Sequence, residues 1–430
     1  MKLEEIEKKV VQYIDENADK IIAFAENAMK TPEHGYCEKV TSQLIKDEFE
    51  KMGIPYRNGM AMTGVKGQIG SGDDFNLAII GELDAVTCFG HEECNTKTGA
   101  AHACGHNAQL AAMLGVAYGL KESGVMDELD GKVSFYAVPA EEYIEIDYRK
   151  KLREDGKIKL FGGKQELIYE GEFDNVDAAM MVHAESNMPQ EAVFVHGGSL
   201  GFLGKSITFK GRAVHASTPY DGVNALNAAA LAIVGIHSNR ETFRDEDKIR
   251  IHPIITKGGD VVNSVPAEVC MDSYIRGANM SAIKNASDVV DRAILGAAQM
   301  VGATAEIETS CGYLPLKQDR NFGELFKEVA LEFLPQDRVY ENIDMTGSTD
   351  IGDLSHLIPV IQPTVGGFDG LLHSKEFHMT DANAAIILPA KIMALTAVRM
   401  LYDKARIGKK IKEDFKPLMT KEEYLNTHMI

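Results

Sequence analysis

Positive charge is scarce in this chain of 430 residues: 45 lysines and arginines stand against 64 aspartates and glutamates, a formal net charge of −19. Nucleic acid and anionic membrane surfaces reward clustered lysine and arginine, so neither is expected as a partner. The densest basic runs, Arg149 to Arg153 and Lys409 to Lys412, are short and set among acids. Long apolar runs are missing too. No stretch approaches the ~18 uninterrupted apolar residues of a membrane span, and Met1-Lys2-Leu3-Glu4-Glu5 lacks the apolar core of a signal peptide. The expected location is the cytoplasm. Cysteine is sparse: Cys37, Cys88, Cys94, Cys104, Cys270 and Cys311 follow no framework spacing, so free thiols in a reducing compartment are expected. Internal repeats and low-complexity segments are absent.

What is present is ordinary for a globular protein, at 45% hydrophobic and 25% charged residues. The length exceeds one typical core and predicts two domains, or one domain with a large insertion. Apolar positions at helical spacing predict amphipathic helix over residues 3 to 30, with a break near Glu16-Asn17, and a second helix from about Glu38 to Met52. Strand-like segments near 64–69, 76–80, 132–138 and 178–182 alternate with helices, which implies a mostly parallel, mixed sheet covered on both faces. Such sheets place ligands at the carboxyl ends of their strands. Asp84, Glu141, Glu142 and His183 all fall there. From Gly197-Gly198-Ser199 the texture changes to strand, helix, two strands, helix, strand, the split βαβ order of a ferredoxin-like unit. The expected division is therefore 1–198 as the first part of a catalytic domain, 199–316 as an inserted domain and 317–430 as the second part. A helix over Ala384 to Met400 is apolar nearly all round and belongs in a core. The tail from Gly408 onward offers no role.

The most chemical stretch is His102-Ala103-Cys104-Gly105-His106-Asn107. A thiolate and an imidazole one residue apart suit zinc and neighbouring divalent metals, and the glycine between them lets the backbone turn closely enough for both to face one ion. They cannot share a helix face, so both are expected on a loop, with Asn107 capping the helix that follows. Alone, the string reads equally well as a buried thiol beside a satisfied histidine. Glu141 and Glu142 follow a strand stopped by Pro139; with the strand ended, both can turn to one site, one binding metal and the other acting as base. His183 ends a strand and His373 follows a glycine-rich loop. Cys104, His106, Glu142, His183 and His373 are more donors than one tetrahedral ion needs and about right for two sharing a bridge. That chemistry suits amide hydrolysis.

Gly81-Glu82-Leu83-Asp84-Ala85, His102-Ala103-Cys104-Gly105-His106, Pro139-Ala140-Glu141-Glu142, Val182-His183, Gly211-Arg212-Ala213-Val214-His215-Ala216-Ser217, Gly258-Gly259-Asp260-Val261-Val262-Asn263-Ser264-Val265-Pro266 and Leu371-Leu372-His373-Ser374 resemble, in order, the motifs of one family. It is the dinuclear metallopeptidases and amidohydrolases related to carboxypeptidase G and aminoacylase. The branch is that of the indole-acetyl-amino-acid, hippurate and aminobenzoyl-glutamate hydrolases and acetyldiaminopimelate deacetylases. The resemblance implies a phosphorylase/hydrolase-like zinc-peptidase catalytic domain with an inserted lid and dimerisation domain. It implies Cys104, His106, Glu142, His183 and His373 as ligands of two divalent metals, zinc or manganese foremost, with cobalt or nickel open. Glu141 is implied as the base activating a metal-bridging water, and Asp84 as the carboxylate orienting a ligand. His215 is implied to stabilise the oxyanion, often from the partner subunit of a homodimer. Asn263 and Arg276 are implied to bind the substrate's carboxylate or amide.

The departures are specific. The branch usually has aspartate at Asn107, histidine at Gln109 and aspartate at Glu82, and Val86-Thr87 replaces the usual Leu-Pro. Losing a negative charge at Asn107 is expected to alter the metals. A charged insertion, about residues 143 to 164, follows the Glu pair and is expected to form part of the pocket or its rim. The implied function is metal-dependent cleavage of the amide of an N-acyl-amino acid or similar carboxylate-bearing conjugate. A dipeptidase or carboxypeptidase with the same site is the alternative, and a metal-free binding or assembly protein the rival from another class.

Overall fold

The computed structural model describes residues 1–186 and 188–428. A six-stranded mixed sheet organises the larger body, with Asn76–Glu82 between Lys132–Val138 and Ala178–Met180 and parallel to both. Every residue of Asn76–Glu82 is buried, as a strand covered on both faces requires; this is why it reads as an apolar run rather than an alternation. Tyr56–Met60 and Gly64–Ile69 complete one edge in antiparallel pairing, and Val360–Ile361 the other in parallel.

Helices cover both faces. On one, His106–Glu122 is buried from His106 to Leu120 and packs among Leu3–Glu16, Ala18–Met29 and Leu388–Asp414. The opposite face carries Gly163–Glu170, Ile351–Ser355 and the C-terminal helix Lys421–His428, around Leu167, Ile168, Leu354 and Tyr424. The expected core helix is longer than 384–400. A π-turn at Asn383–Ile387 leads into Leu388–Asp414, whose backbone departs from helix at Tyr402 to Ala405. By length and composition the span Asn383–Asp414 could cross a membrane, but 83% of its most apolar window is buried inside the fold. The tail also acquires a place: Tyr424 Oη donates to Asp353 at 2.9 Å.

Between Gly201 and Cys311 the chain follows the split βαβ order. Its strands Gly201–Lys210, Arg250–Lys257, Glu268–Gly277 and Thr304–Cys311 form an antiparallel sheet in the order second, third, first, fourth. Ala225–Ser238 and Met280–Met300 cover one face, over Ile207, Phe209, Met271 and Ile275. A smaller sheet lies within the larger body: Val193–Val195 runs beside Val339–Glu341 and Thr364–Val365, and the latter pairs with His183–Ala184. The single strand expected to end at His183 is thus divided at Met181-Val182, and its two pieces serve different sheets.

Candidate metal centre

Three chain crossings meet at the carboxyl ends of the central strands. Glu82 ends Asn76–Glu82; Lys132–Val138 runs out into Ala140, Glu141 and Glu142; and His183 opens the short strand after Ala178–Met180. Ala140 takes a left-handed backbone, φ 55°, uncommon for a residue with a side chain. That reversal allows two successive carboxylates to serve one site. Gly105 is also left-handed, and a Cβ there would come within 2.5 Å of the Ala184 Cβ; glycine therefore lets the Cys104 loop close on the His183 strand. The helix begins at His106 with Gly105 as its cap. This corrects the expected cap: Asn107 lies inside the first turn and donates from Nδ2 to Ala25 O at 3.1 Å. Its side chain thus faces the helix Ala18–Met29, not the donors.

Two donor groups share one sulfur. Cys104, His106 and His183 have ligand atoms within 4.8 Å of one another, as do Cys104, Glu142 and His373. Cys104 Sγ lies 3.5 Å from His183 Nε2 and 3.3 Å from His373 Nε2, and His373 Nε2 lies 3.2 Å from Glu142 Oε1. The rings are aimed from behind. His106 Nδ1 bonds the Asp84 carbonyl oxygen and His183 Nδ1 the Ala184 carbonyl oxygen, both at 2.8 Å. Each leaves Nε2 facing the shared space, the orientation that metal-binding histidines take from their outer partners. Asp84 also accepts the Glu142 amide at 2.9 Å, so one carboxylate orients both flanks. His102 is buried nearby, and burial with the neighbouring His106 lowers it to about 3; it belongs to neither group.

The residues fit a pair of cations. His106 Nε2, Glu142 Oε1, Glu82 Oε2 and Asp84 Oδ1 are buried without a hydrogen-bond partner, a costly condition unless an ion completes them. Glu82, Asp84, Glu141, Glu142 and Asp350 are all buried, set against the Lys164 ammonium and the Arg149 guanidinium. Although burial raises a thiol, the His183 and His106 imidazoles hold Cys104 well below its usual range. Burial also raises Asp84, yet His106 and the Glu142 amide bring it down to about 2. Burial pushes Glu141 well up, with Glu82 and Glu142 adding to it. The thiolate is thus a ready donor, Asp84 an ionised acceptor for the Glu142 amide, and Glu141 a group of high proton affinity.

The insertion after the Glu pair does two jobs. Tyr143 and Ile144 line a 470 Å³ cavity that also exposes Cys104, Glu142, His183 and His373. Residues beyond them brace the carboxylate turn from behind. Arg149, 1% exposed, donates to the Phe161 carbonyl at 2.7 Å, to the Ala140 carbonyl at 3.4 Å and to the Glu142 carbonyl. Lys164, fully buried, reaches Glu82 Oε1 at 2.6 Å and also pairs with Asp350. Gly163 permits this: a Cβ there would lie 1.6 Å from Pro139 O. Replacing Arg149 by methionine strands three buried carbonyls, at about 1–3 kcal/mol each when left unsatisfied. The expected loss is at least ~3 kcal/mol of unfolding free energy in chemical denaturation; a loss below ~1 kcal/mol would remove its bracing role.

Of the other residues expected at the site, Arg276 lines the cavity, donates to Ser348 Oγ at 2.6 Å and lies over the Phe202 ring at 5.1 Å. His215 and Asn263 are exposed on adjoining loops of the inserted unit, joined by the Ala216 amide to Asn263 carbonyl bond, and line no part of this cavity within one chain. Sequence reasoning missed Arg149, Lys164, Asp350 and Tyr313, whose hydroxyl donates to the Glu141 carbonyl. The available signal was the insertion itself, which sends two basic residues back beneath the pair it follows.

Donor groups sharing a thiolate at the ends of a parallel sheet, beneath an inserted split βαβ unit, define a two-part hydrolase of the metal-dependent kind. Comparison with known proteins agrees. Residues 198–298 match the peptidase dimerisation domain. The Xaa-Arg dipeptidase of Mus musculus is 27% identical over 454 residues, covering 99% of this chain and 95% of that protein. The IAA-amino acid hydrolase ILR1-like 4 of Arabidopsis thaliana is 27% identical over 355 residues, covering 79% and 76%. Among solved structures, a dinuclear metal-binding peptidase of the M20 family from Bacillus subtilis superposes with a TM-score of 0.69 at 22% identity, over 89% of this chain and 98% of that one. The aminobenzoyl-glutamate utilization protein of Klebsiella pneumoniae gives 0.66 at 18%, over 90% and 97%. The chain has the M20 fold, carries its dimerisation domain and is a homologue of peptidases and amidohydrolases, as the ordered motifs implied.

Proposed function

We propose that this chain is a dinuclear metal-dependent amidohydrolase that releases an amino acid or similar amine from an N-acyl or peptide-like conjugate bearing a free carboxylate. The observation that carries the reading is the Cys104 sulfur common to two donor groups, with Glu141 beside them on the same turn. Cys104, His106 and His183 would hold one ion and Cys104, Glu142 and His373 the other, zinc or manganese foremost. When bound, such ions polarise an amide carbonyl and ease ionisation of water. Glu141 takes the proton from the attacking water and returns it to the leaving nitrogen. Arg276 receives the substrate carboxylate through its two-pronged guanidinium. His215 and Asn263 act from the partner subunit of a homodimer, a role supported by their exposure on loops of the dimerisation domain that line no part of this chain's cavity. The division into 1–198, 199–316 and 317–430 belongs to the same reading. The cytoplasm fits a chain whose six cysteines are all unpaired.

A dipeptidase or carboxypeptidase with the same site is the second reading, favoured by the Xaa-Arg dipeptidase relatives that match 99% of this chain. Elemental analysis with a panel of N-acyl-amino acids and dipeptides separates the two. Near two metals per chain with acyl-amino-acid turnover supports the first; dipeptide turnover alone supports the second. Absence of metal would return the chain to a binding or assembly role, against which the unpartnered buried donors stand.

Arg276→Ala is expected to raise KM about 10–100-fold, the worth of a charge-assisted pair at ~1.5–3 kcal/mol, with a smaller change in kcat. Arg276→Lys should recover little, because an ammonium cannot make the paired bonds. The control is a substrate whose carboxylate is amidated: equal losses on both substrates would dismiss the assignment.

A further inference from the structure

We infer that Glu82 is a further donor of this centre, completing the shell of the ion that Cys104, His106 and His183 would hold. The inference rests on the dinuclear reading and extends it to a residue that its ligand set omits. Glu82 is the last residue of the central strand and is wholly buried. One of its oxygens is committed: Oε1 accepts from Lys164 Nζ at 2.6 Å, and Lys164 is fixed in turn by Asp350, which also accepts the Lys164 amide at 2.8 Å. The other oxygen, Oε2, is buried without a hydrogen-bond partner and faces His106 Nε2 at 3.2 Å.

His106 Nδ1 is engaged with the Asp84 carbonyl, so Nε2 is the nitrogen left to coordinate. With no proton on that nitrogen, its lone pair and the carboxylate oxygen repel unless a cation lies between them, and a bound metal ion takes the place the proton would hold. Donors 3.2 Å apart are spaced as neighbouring ligands of one ion are, given metal–nitrogen and metal–oxygen lengths of ~2.0–2.2 Å. Glu82, His106 and Glu141 satisfy the same mutual 4.8 Å limit as the two groups built on Cys104. The local charge points the same way. Glu82 and Asp350 share the Lys164 ammonium, and the Glu82 oxygen that this ammonium does not reach is the one that faces His106. Lys164 therefore acts as a positioning residue, turning Glu82 so that its free oxygen meets the ring. Glutamate rather than aspartate at this strand end supplies the extra methylene that spans the gap.

The test measures metal rather than turnover. Wild-type protein and Glu82→Gln are titrated with zinc, their bound metal is counted by elemental analysis, and the absorption spectra of their cobalt-loaded forms are compared. Wild type is expected to hold two ions. Glu82→Gln should keep one firmly, through the untouched Cys104, Glu142 and His373 group, and bind the other at least 10–100-fold more weakly, the range for losing even an outer partner; the cobalt spectrum should change. The variant should also gain less in melting temperature on zinc addition than wild type. A merely structural carboxylate would lower the melting temperature while leaving the zinc-induced gain unchanged. If Glu82→Gln does not fold, Glu82→Asp keeps the charge for Lys164 but withdraws the free oxygen, and the same weakening is expected. Wild-type affinity for both ions with an unchanged cobalt spectrum overturns the role of Glu82 and leaves the dinuclear reading intact. Absence of metal from wild type overturns the dinuclear reading itself.

Discussion

Glu141→Gln is expected to leave both metal ions bound and to lower kcat by about a hundred- to ten-thousand-fold, the range for removing a positioned proton-transfer group. The two properties separate because Glu141 belongs to neither donor group built on Cys104. Its turn is held by other atoms: Tyr313 donates to its carbonyl, Asp84 accepts the Glu142 amide, and Arg149 grips the carbonyls on either side. Glutamine fills the same volume and leaves those bonds untouched, so the backbone that presents Glu142 should not move. What disappears is a basic oxygen. Burial and the neighbouring Glu82 and Glu142 carboxylates give Glu141 a proton affinity well above that of an ordinary glutamate, which suits a group that takes a proton from water and then returns it. An amide can do neither. Steady-state kinetics with elemental analysis on one preparation checks both halves. Activity within tenfold of wild type at full metal content would remove Glu141 from the proposed chemistry. Loss of metal would move it into the coordinating set.

Strand runs, helix periods and the split βαβ order were legible because they are local patterns imposed by packing: Asn76–Glu82 is apolar throughout because both its faces are covered. The donors were legible for a related reason. Each lies just past the end of a central strand or beside a glycine that turns the chain, and those positions can be inferred from a few neighbouring residues. The brace beneath them was not. Lys164 meets Glu82 and Asp350 across 82 and 186 positions of chain, and no period or motif announces a contact of that separation. Asn107 illustrates the opposite error. A good capping residue beside two donors invites a role at the metals, yet the left-handed Gly105 takes the cap and turns Asn107 toward Ala25. Its effect should therefore pass through helix packing. The insertion was placed at the pocket by its position alone; that it also buries an arginine beneath the Glu pair could not be read from its charged composition, which resembles a solvated surface.

Cys104→Ala should strip both ions at once, and that joint loss is the sharpest consequence of a shared sulfur. Cys104 Sγ is the one donor atom common to the His106/His183 group and the Glu142/His373 group, so its removal takes the bridging anion from both ions, leaving the Glu142/His373 group with two protein donors and the other with His106, His183 and the Glu82 oxygen inferred above. His373→Ala should cost chiefly the ion on the Glu142 side, because His106, His183 and Cys104 remain. Metal content is expected to fall from two per chain to well below one in the cysteine variant and to about one in the histidine variant, with turnover lost in both. Stability supplies an independent readout. An ion that binds only the folded chain stabilises it by about 2.7 kcal/mol at a hundredfold excess over its Kd, so zinc should raise the wild-type melting temperature strongly, His373→Ala partially and Cys104→Ala hardly at all. The metal-free cysteine variant should nonetheless fold, since alanine removes only one buried sulfur atom from a large core. Two ions retained in Cys104→Ala would mean that the sulfur bridges nothing and that the centre is assembled from the carboxylates instead.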